Sequence, residues 1–234
     1  MTHANLPSRL SWGRDRLKLM PTFDIDWAIA QIREAVNPYP KAAMFAIAQE
    51  GYNSLFEQLI ACLISIRTYD EVSLPVARRL LQQANTPAAI AQLTPKQIES
   101  LIGESTYPEQ KARQIHAIAE QIMAHHNGEL PADLTTLLTF KGVGSKCAHL
   151  ALGVACNLPF ISVDIHVHRV TNRWGYVQTK TPEKTTLALE ATLPLPYWIE
   201  INQLLVPFGK HICTGKQPHC ATCPVESMCQ KIGV

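Results

Sequence analysis

A glycine-rich turn lies between two apolar runs in Leu137-Leu-Thr-Phe-Lys-Gly-Val-Gly-Ser-Lys146-Cys-Ala-His-Leu-Ala-Leu152. Apolar residues recur at helical spacing on both sides, which predicts a helix before and after the turn. Gly142 and Gly144 flank Val143, and glycines in a turn allow positive φ and close approach of another molecule. The first N–H groups of the second helix have no partner within the helix. The stretch therefore predicts two helices joined by a turn that attracts phosphate.

Two polar residues near this turn are candidates for chemistry. Lys146 falls in the first turn of the second helix, where the helix dipole disfavours its ammonium by about 0.3–1 kcal/mol. It is therefore either an ordinary exposed lysine or an amine kept neutral for use as a nucleophile. Asp164, which precedes the helical pattern from Ile165 to Trp174, is either the N-cap of that helix or a functional carboxylate. The residues alone leave both alternatives open, and for Lys146 they favour the ordinary one.

Length and charge narrow the class of protein. The chain has 234 residues, a formal net charge of +2 and a pI of about 8.2, so it can bury a sizeable core but has no broad cationic coat. Any nucleic-acid binding must then use local basic residues and helix ends. The sequence has neither an apolar window long enough for a membrane span nor the apolar core of a signal peptide. We expect the protein to be cytoplasmic, and in a bacterium DNA binding would hold it at the nucleoid. The alternative is that the segment Arg9–Lys18 belongs to an organelle transit peptide.

The cysteines are distributed unevenly, with four of the seven near the C-terminal end. An odd total, no secretion signal and clustering in the tail favour metal ligation over disulfides. Zinc and a [4Fe-4S] cluster both use four thiolates, and the uneven gaps moderately favour the cluster. The four form the pattern Cys213-x6-Cys220-x2-Cys223-x5-Cys229, whereas Cys62, Cys147 and Cys156 lie in apolar helical runs and are expected to be buried hydrophobes.

Helix-start signals recur along the chain, and no alternating strand pattern is present. Ser54-Leu-Phe-Glu57 is a capping-box pattern that opens a very apolar helix. A threonine N-cap precedes a proline at Thr86-Pro87, Thr94-Pro95 and Thr181-Pro182, which marks three further helix starts. We expect an all-α protein with about ten helices. Residues 1–22 are polar and irregular, and are expected to form a loosely ordered extension.

Three separated motifs together resemble the endonuclease III family of DNA glycosylases. They are Lys141-Gly-Val-Gly-Ser-Lys146, Val163-Asp-Ile-His-Val-His-Arg169 and the four-cysteine tail, and the likeness extends from about residue 25 onward. The resemblance implies a two-lobed helix-hairpin-helix glycosylase fold. Residues 48–158 would form a six-helix barrel lobe, and residues 23–47 with 159–234 would form a lobe that holds an iron–sulfur cluster. DNA would lie across the cleft between the lobes.

The resemblance also implies roles for individual residues. Lys146 matches the lysine that forms a Schiff base with the sugar, and Asp164 matches the catalytic aspartate. The implied activity is that of a monomeric, bifunctional glycosylase and AP lyase, which removes oxidised pyrimidines from duplex DNA and cleaves the strand 3′ to an abasic site. The implied [4Fe-4S] ligands are Cys213, Cys220, Cys223 and Cys229, and the implied DNA contacts are Gly142, Val143, Gly144, Ser145, Arg67, Tyr107 and Lys216.

Departures from the family pattern leave the preferred lesion open. Arg67 stands where the family usually has glutamine, Ser145 where arginine is common, and Phe140-Lys141 where Leu-Pro is common. Two alternative functions remain. A monofunctional adenine-type glycosylase would use an acid on the helix that here contains Cys62-Leu63-Ile64-Ser65, and it would lack the lysine. A non-catalytic DNA-binding module would use the hairpin for docking alone, and lesion-dependent nicking separates it from an enzyme.

Overall fold

A computed structural model describes residues 23–234, and these residues form α-helices and short 3-10 helices without a β-strand. The predicted all-α class is therefore confirmed, whereas the extension of residues 1–22 lies outside the described residues. The α-helices are α1 Ile25–Val36, α2 Ala43–Gln49, α3 Leu55–Ser65, α4 Asp70–Gln83, α5 Pro87–Ala91, α6 Pro95–Leu101, α7 Pro108–His125, α8 Leu134–Thr139, α9 Ser145–Cys156, α10 Ile165–Trp174, α11 Pro182–Thr192 and α12 Glu200–His211. Single 3-10 turns span Leu195–Tyr197 and Cys220–Thr222.

The predicted helix starts are confirmed by their hydrogen bonds. Ser54 Oγ accepts from Glu57 N at 3.3 Å, and Glu57 Oε2 accepts from Ser54 N at 2.9 Å, so the capping box closes at the start of α3. The hydroxyls of Thr86, Thr94 and Thr181 cap α5, α6 and α11, each with proline at the first helical position. These caps fix the first residues of α5, α6 and α11.

Two hydrophobic cores organise the described residues. The first surrounds α3, whose side chains are almost all buried, and it includes residues of α4 to α9. The second combines α1 with α10, α11, α12 and the segment that follows, so it is built from two stretches far apart in sequence. Lys210 Nζ on α12 donates to Asp70 Oδ2 on α4 at 2.8 Å, which joins the helices of the two cores by an ion pair.

The helix α2 is the element that apolar periodicity does not predict. It has seven residues, and its N-cap Ala42 has no side-chain hydrogen bond to give a sequence signal. Met44 and Ile47 on α2 are buried in the first core rather than the second. The division of the chain at residues 48 and 159 stays a prediction, and we propose moving its first boundary to about residue 42.

Candidate active site

The hairpin between α8 and α9 spans Phe140 to Gly144. Val143 N donates to Phe140 O at 3.0 Å, which closes a tight turn, and the side chain of Val143 is buried. Gly142 has φ +91°, in the region that favours glycine, and a Cβ there would lie 2.4 Å from Gln114 Nε2. Gly144 has φ −97°, so it does not use the positive φ that glycine allows; it is the N-cap of α9.

Lys146 lies in the first turn of α9 and its side chain is exposed to solvent. Protein atoms around the amine lower its pKa by desolvation, whereas the charges of Cys62 and Asp164 raise it, and the net pKa is above the ordinary lysine value. The carboxylate of Asp164 is thus one source of the attraction that raises the pKa of the lysine. The amine of the free protein is therefore an ammonium, which must lose a proton before it can act as a nucleophile.

Asp164 is the N-cap of α10, which was one of the two alternatives for this residue. Its Oδ1 accepts hydrogen bonds from His166 N at 2.8 Å and from Val167 N at 2.9 Å. The same carboxylate acts electrostatically on Lys146, so capping and an influence on the amine coexist. Ser162 Oγ donates to Lys146 O at 3.2 Å, which ties the start of α9 to the segment that enters α10.

Arg67 and Tyr107 line one groove together with Gly142 of the hairpin. This groove encloses about 760 Å³ of space open to solvent. Both side chains are exposed, and both residues have left-handed backbone conformations, with φ +55° for Arg67 and φ +56° for Tyr107. Lys216 lies apart from this groove, in the exposed loop between Cys213 and Cys220.

The four tail cysteines line a single pocket with about 330 Å³ of atom-free space, beside Arg173 and Trp174. Burial raises the pKa of Cys223 to about 11, and the neighbouring thiols add to this because adjacent thiolates repel one another. Four thiolates there require a positive centre. Within residues 23–234, no three histidine, cysteine or carboxylate side chains converge closely enough to hold one metal ion. In a [4Fe-4S] cluster each of four thiolates binds a different iron atom, whereas in a structural zinc site all four bind one ion, so four cysteines around one pocket suit the donor set of either centre.

Two donors in this pocket point at sulfur. Arg173 Nη1 and Lys231 N donate to the Sγ atoms of Cys213 and Cys229, each at 3.4 Å. Such N–H···S contacts stabilise thiolate ligands and tune an iron–sulfur cluster.

Lys111 on α7 is a residue of the groove that the sequence reasoning missed. It is 5% exposed, and its Nζ makes three hydrogen bonds to the segment that contains Arg67. A sequence signal for its burial exists, because Lys111 shares the helical face of Ile115, Ile118 and Ile122.

Comparisons with known proteins agree with this architecture. The model of the HhH-GPD superfamily base excision DNA repair proteins matches residues 60–194. Endonuclease III of Thermotoga maritima is 38% identical over 175 residues, which cover 75% of this chain and 82% of the relative. Endonuclease III homolog 2, chloroplastic, of Arabidopsis thaliana is 39% identical over 183 residues; the match covers 74% of this chain but only 47% of that relative, so the chain spans about half of its length.

A solved structure of a trapped endonuclease III–DNA covalent intermediate, an estranged-adenine complex, superposes with a TM-score of 0.75 at 25% identity. The match covers 88% of this chain and 94% of that chain. An all-helical fold in which a helix-hairpin-helix presents a lysine near an aspartate is that of a base-excision DNA glycosylase. The chain belongs to the HhH-GPD superfamily and, within it, to the endonuclease III family. It is a DNA-binding, bifunctional glycosylase and AP lyase of base excision repair. No helix among residues 23–234 has the length and apolarity needed to cross a membrane.

Proposed function

We propose that this enzyme removes oxidised pyrimidines from duplex DNA and cleaves the strand at the resulting abasic site, with Lys146 as nucleophile and Asp164 as its catalytic partner. The observation that carries the proposal is the position of Lys146 at the hairpin, where the residue is exposed and its amine is under the electrostatic influence of the Asp164 carboxylate. An amine in that position is accessible to a nucleotide that has left the base stack.

The first bond changes occur at C1′ of the extruded nucleotide. The Nζ lone pair of Lys146, once a proton has left, forms a bond to C1′ while the C1′–N bond to the base breaks and the base leaves with that electron pair and gains a proton. Opening of the sugar ring then gives an imine between Nζ and C1′. Asp164 assists removal of the amine proton and stabilises the positive charge that develops on the sugar.

Strand cleavage follows from the imine. Loss of a proton from C2′ lets the C3′–O bond break by β-elimination, and the 3′ phosphate leaves with the bonding electrons. Water then hydrolyses the imine and releases Lys146 as a free amine. The same lysine therefore serves both the glycosylase and the lyase reactions.

The DNA contacts that we propose surround the groove. Gly142, Val143, Gly144 and Ser145 form the phosphate-binding segment: the N–H groups in the first turn of α9 donate to phosphate, and the turn that Val143 N closes on Phe140 O brings the backbone close to the DNA. Arg67 and Tyr107 enter the space that the extruded nucleotide vacates, and their exposure on one groove supports this role. Lys216, in the loop between the first two cysteines, adds a phosphate contact from the other lobe.

An adenine-type glycosylase is the rival function, and the environment of α3 argues against it. The acid of this helix is Glu57, whose carboxylate accepts hydrogen bonds from Ser54 N and Asn85 Nδ2 as part of the capping box. The later turn, Cys62 to Ser65, contains no acid. These observations support the proposal that Lys146, rather than an α3 carboxylate, is the reactive group.

We further propose that Cys213, Cys220, Cys223 and Cys229 hold a structural [4Fe-4S] cluster and that the protein acts as a monomer. The pocket that these four residues share, with its N–H···S contacts, supports the ligand set. When bound, the cluster supplies a rigid, positively charged centre that holds the tail. The monomer proposal is supported by the presence of the lysine, the aspartate and the hairpin on one chain.

The function is tested by incubating the protein with duplexes that contain thymine glycol, an abasic site, or adenine opposite 8-oxoguanine, with and without borohydride. We expect cleavage and a borohydride-trapped adduct with the first two duplexes. Release of adenine without strand cleavage would instead establish the adenine-type function. Binding without reaction on all three duplexes would establish a docking module.

A further inference from the structure

Lys111 is a buried lysine whose three N–H groups all have acceptors. Its Nζ donates to Ile64 O at 2.6 Å, to Ile66 O at 2.8 Å and to Thr68 Oγ1 at 3.0 Å. Ile64 is in the last turn of α3 and Ile66 is its C-cap, so these carbonyls have no further turn of helix to accept from. An ammonium is also favoured at the negative end of a helix dipole. The lysine thus closes the C-terminal end of α3.

The segment that Lys111 holds is also bound to the residue before Tyr107. Thr106 N donates to Thr68 Oγ1 at 3.1 Å, and Thr106 Oγ1 donates to Arg67 O at 2.8 Å. Lys111 N donates to Tyr107 O at 3.1 Å. A single network therefore connects the backbones of Arg67 and Tyr107 through Lys111.

This network coincides with an unusual backbone. Arg67 and Tyr107 both have positive φ without being glycine, a conformation that persists only where the surrounding structure imposes it. Both line the groove beside Gly142, and Lys111 lines its floor. The hydrogen bonds of Lys111 and the two threonines supply the needed constraint.

We propose that Lys111 is a positioning residue that holds Arg67 and Tyr107 in the shape required to fill the gap left by the extruded nucleotide. The inference rests on the insertion role given to Arg67 and Tyr107 in the proposed function. Lys111 acts through the two backbones and has no contact with the reacting atoms. An apolar residue of the same length would remove the Nζ donor from Ile64 O and leave Ile66 O with only the long contact from Thr68 Oγ1 at 3.4 Å, and both segments would lose the common anchor.

Burial alone lowers the pKa of Lys111 to about 8. Three acceptors around Nζ favour the charged form, because only the ammonium has three N–H groups to donate. The residue is therefore mainly charged at neutral pH, and its role is hydrogen bonding rather than nucleophilic attack.

The test compares two substrates that differ in their need for gap filling. Duplex DNA with thymine glycol requires extrusion, whereas a single-stranded abasic oligonucleotide does not. With Lys111→Met we expect excision from the duplex to fall at least about tenfold, while cleavage of the single strand stays within about twofold of wild type. A 2-aminopurine base beside the lesion should lose most of the fluorescence rise that accompanies unstacking by the wild type. Lys111→Arg, which keeps donors for the carbonyls, should recover part of the duplex activity.

The controls separate this inference from a general loss of structure. Lys96→Met removes an exposed lysine of α6, whose ion pair with Glu99 is at the surface, and should leave both activities unchanged. Equal losses on both substrates, or wild-type duplex excision by Lys111→Met, would overturn the positioning role. If Lys111→Met does not fold, Thr68→Val tests the positioning role in its place. This variant removes the hydroxyl that accepts from Lys111 Nζ and Thr106 N, and it should weaken duplex excision selectively. Failure of the wild type itself to excise thymine glycol would overturn the proposed function instead.

Discussion

The carboxylate of Asp164 acts on the amine of Lys146 across the junction between the two cores, and this attraction helps to raise the pKa of the lysine. The two residues come from different helix starts, since Lys146 is in the first turn of α9 and Asp164 is the N-cap of α10. Each is therefore held by a backbone that other interactions fix. Their substitution should have different consequences, because in the proposed mechanism Lys146 supplies the nucleophile and Asp164 its electrostatic environment.

Lys146→Gln preserves side-chain length and removes the nucleophile. We expect the borohydride-trapped adduct and strand cleavage to disappear, with DNA affinity within about threefold of wild type, because the hairpin contacts use the backbone. Gel analysis of trapped complexes and a binding titration measure the two effects. Lys141→Gln, an exposed lysine of the same hairpin, is the matched control and should still form the adduct. An adduct with Lys146→Gln would mean that another amine is the nucleophile.

Asp164→Asn keeps a side-chain oxygen for capping and removes the charge. The free energy of unfolding should change by less than about 1 kcal/mol, while base release falls by about 100-fold or more. Urea unfolding and single-turnover excision measure these quantities. Near-normal base release by this variant would reduce Asp164 to its capping role.

The same variant should also shift the pH dependence of trapping on an abasic duplex, which needs no base release. The Asp164 charge stabilises the ammonium of Lys146, so its removal lowers the pKa of that amine. The free amine is the reactive form, and the rising limb of the trapping rate should therefore move to lower pH. A rising limb that stays in place would show that the two groups are not coupled.

Arg67→Ala and Tyr107→Ala should each reduce excision from a lesion duplex by about tenfold and leave thermal stability nearly unchanged, because both side chains are exposed. Tyr69→Ala is the control, since Tyr69 is two residues from Arg67 and 82% exposed but does not line the groove. Excision kinetics on one thymine glycol duplex compare the three variants. Wild-type rates for both Arg67→Ala and Tyr107→Ala would contradict the insertion role.

Gly142→Ala and Gly144→Ala should differ although the glycines are two residues apart. Alanine at φ +91° is strained, and its Cβ would collide with Gln114, so Gly142→Ala should lower the free energy of unfolding by about 1–2 kcal/mol and weaken DNA binding. Gly144 has negative φ and open space around a Cβ, so Gly144→Ala should fold as wild type. Thermal unfolding and DNA titration distinguish the two, and equal effects would contradict the hairpin geometry.

Cys220→Ser should lower the iron content of the protein and reduce the structural order of its C-terminal segment. Few residues there are buried apart from Val225, so thiolate ligation has to supply much of the energy that holds it. We expect about four iron atoms per chain in the wild type and a yellow-brown colour. The variant should lose iron and become protease-sensitive after α12, whereas Cys156→Ser, outside the pocket, should keep both properties. A folded, active wild type with one zinc would contradict the cluster.

Local sequence signals predicted the helix starts well because a cap is a short-range interaction. No tertiary information was needed to predict the helix starts at Ser54, with its partner Glu57, and at the threonines before Pro87, Pro95 and Pro182. The conformation of Gly144 was harder to predict, because glycine adopts negative φ as readily as positive φ.

Lys111 could not be assigned from the sequence because its acceptors are more than 40 residues away and belong to a different helix and its C-cap. The same limit applies to the groove, which combines three loops that only the packing of α3, α7 and α9 brings together. The lysine–aspartate pair was found through the resemblance, since spacing alone favoured an ordinary surface lysine.

The second core has a consequence for biosynthesis, since α1 packs on α12 and the two are separated by almost the whole described chain. Helices α2 to α9 can assemble on the ribosome once α9 has emerged, because the helices that pack on α3 all lie within this stretch. The apolar face of α1 stays without its packing partner until α12 has been synthesised, and chaperones can bind it during that time. The proposed iron–sulfur cluster would be assembled later still, because its proposed ligands follow α12. Under that proposal, the order of translation places completion of the repair enzyme at the moment when its cofactor is inserted.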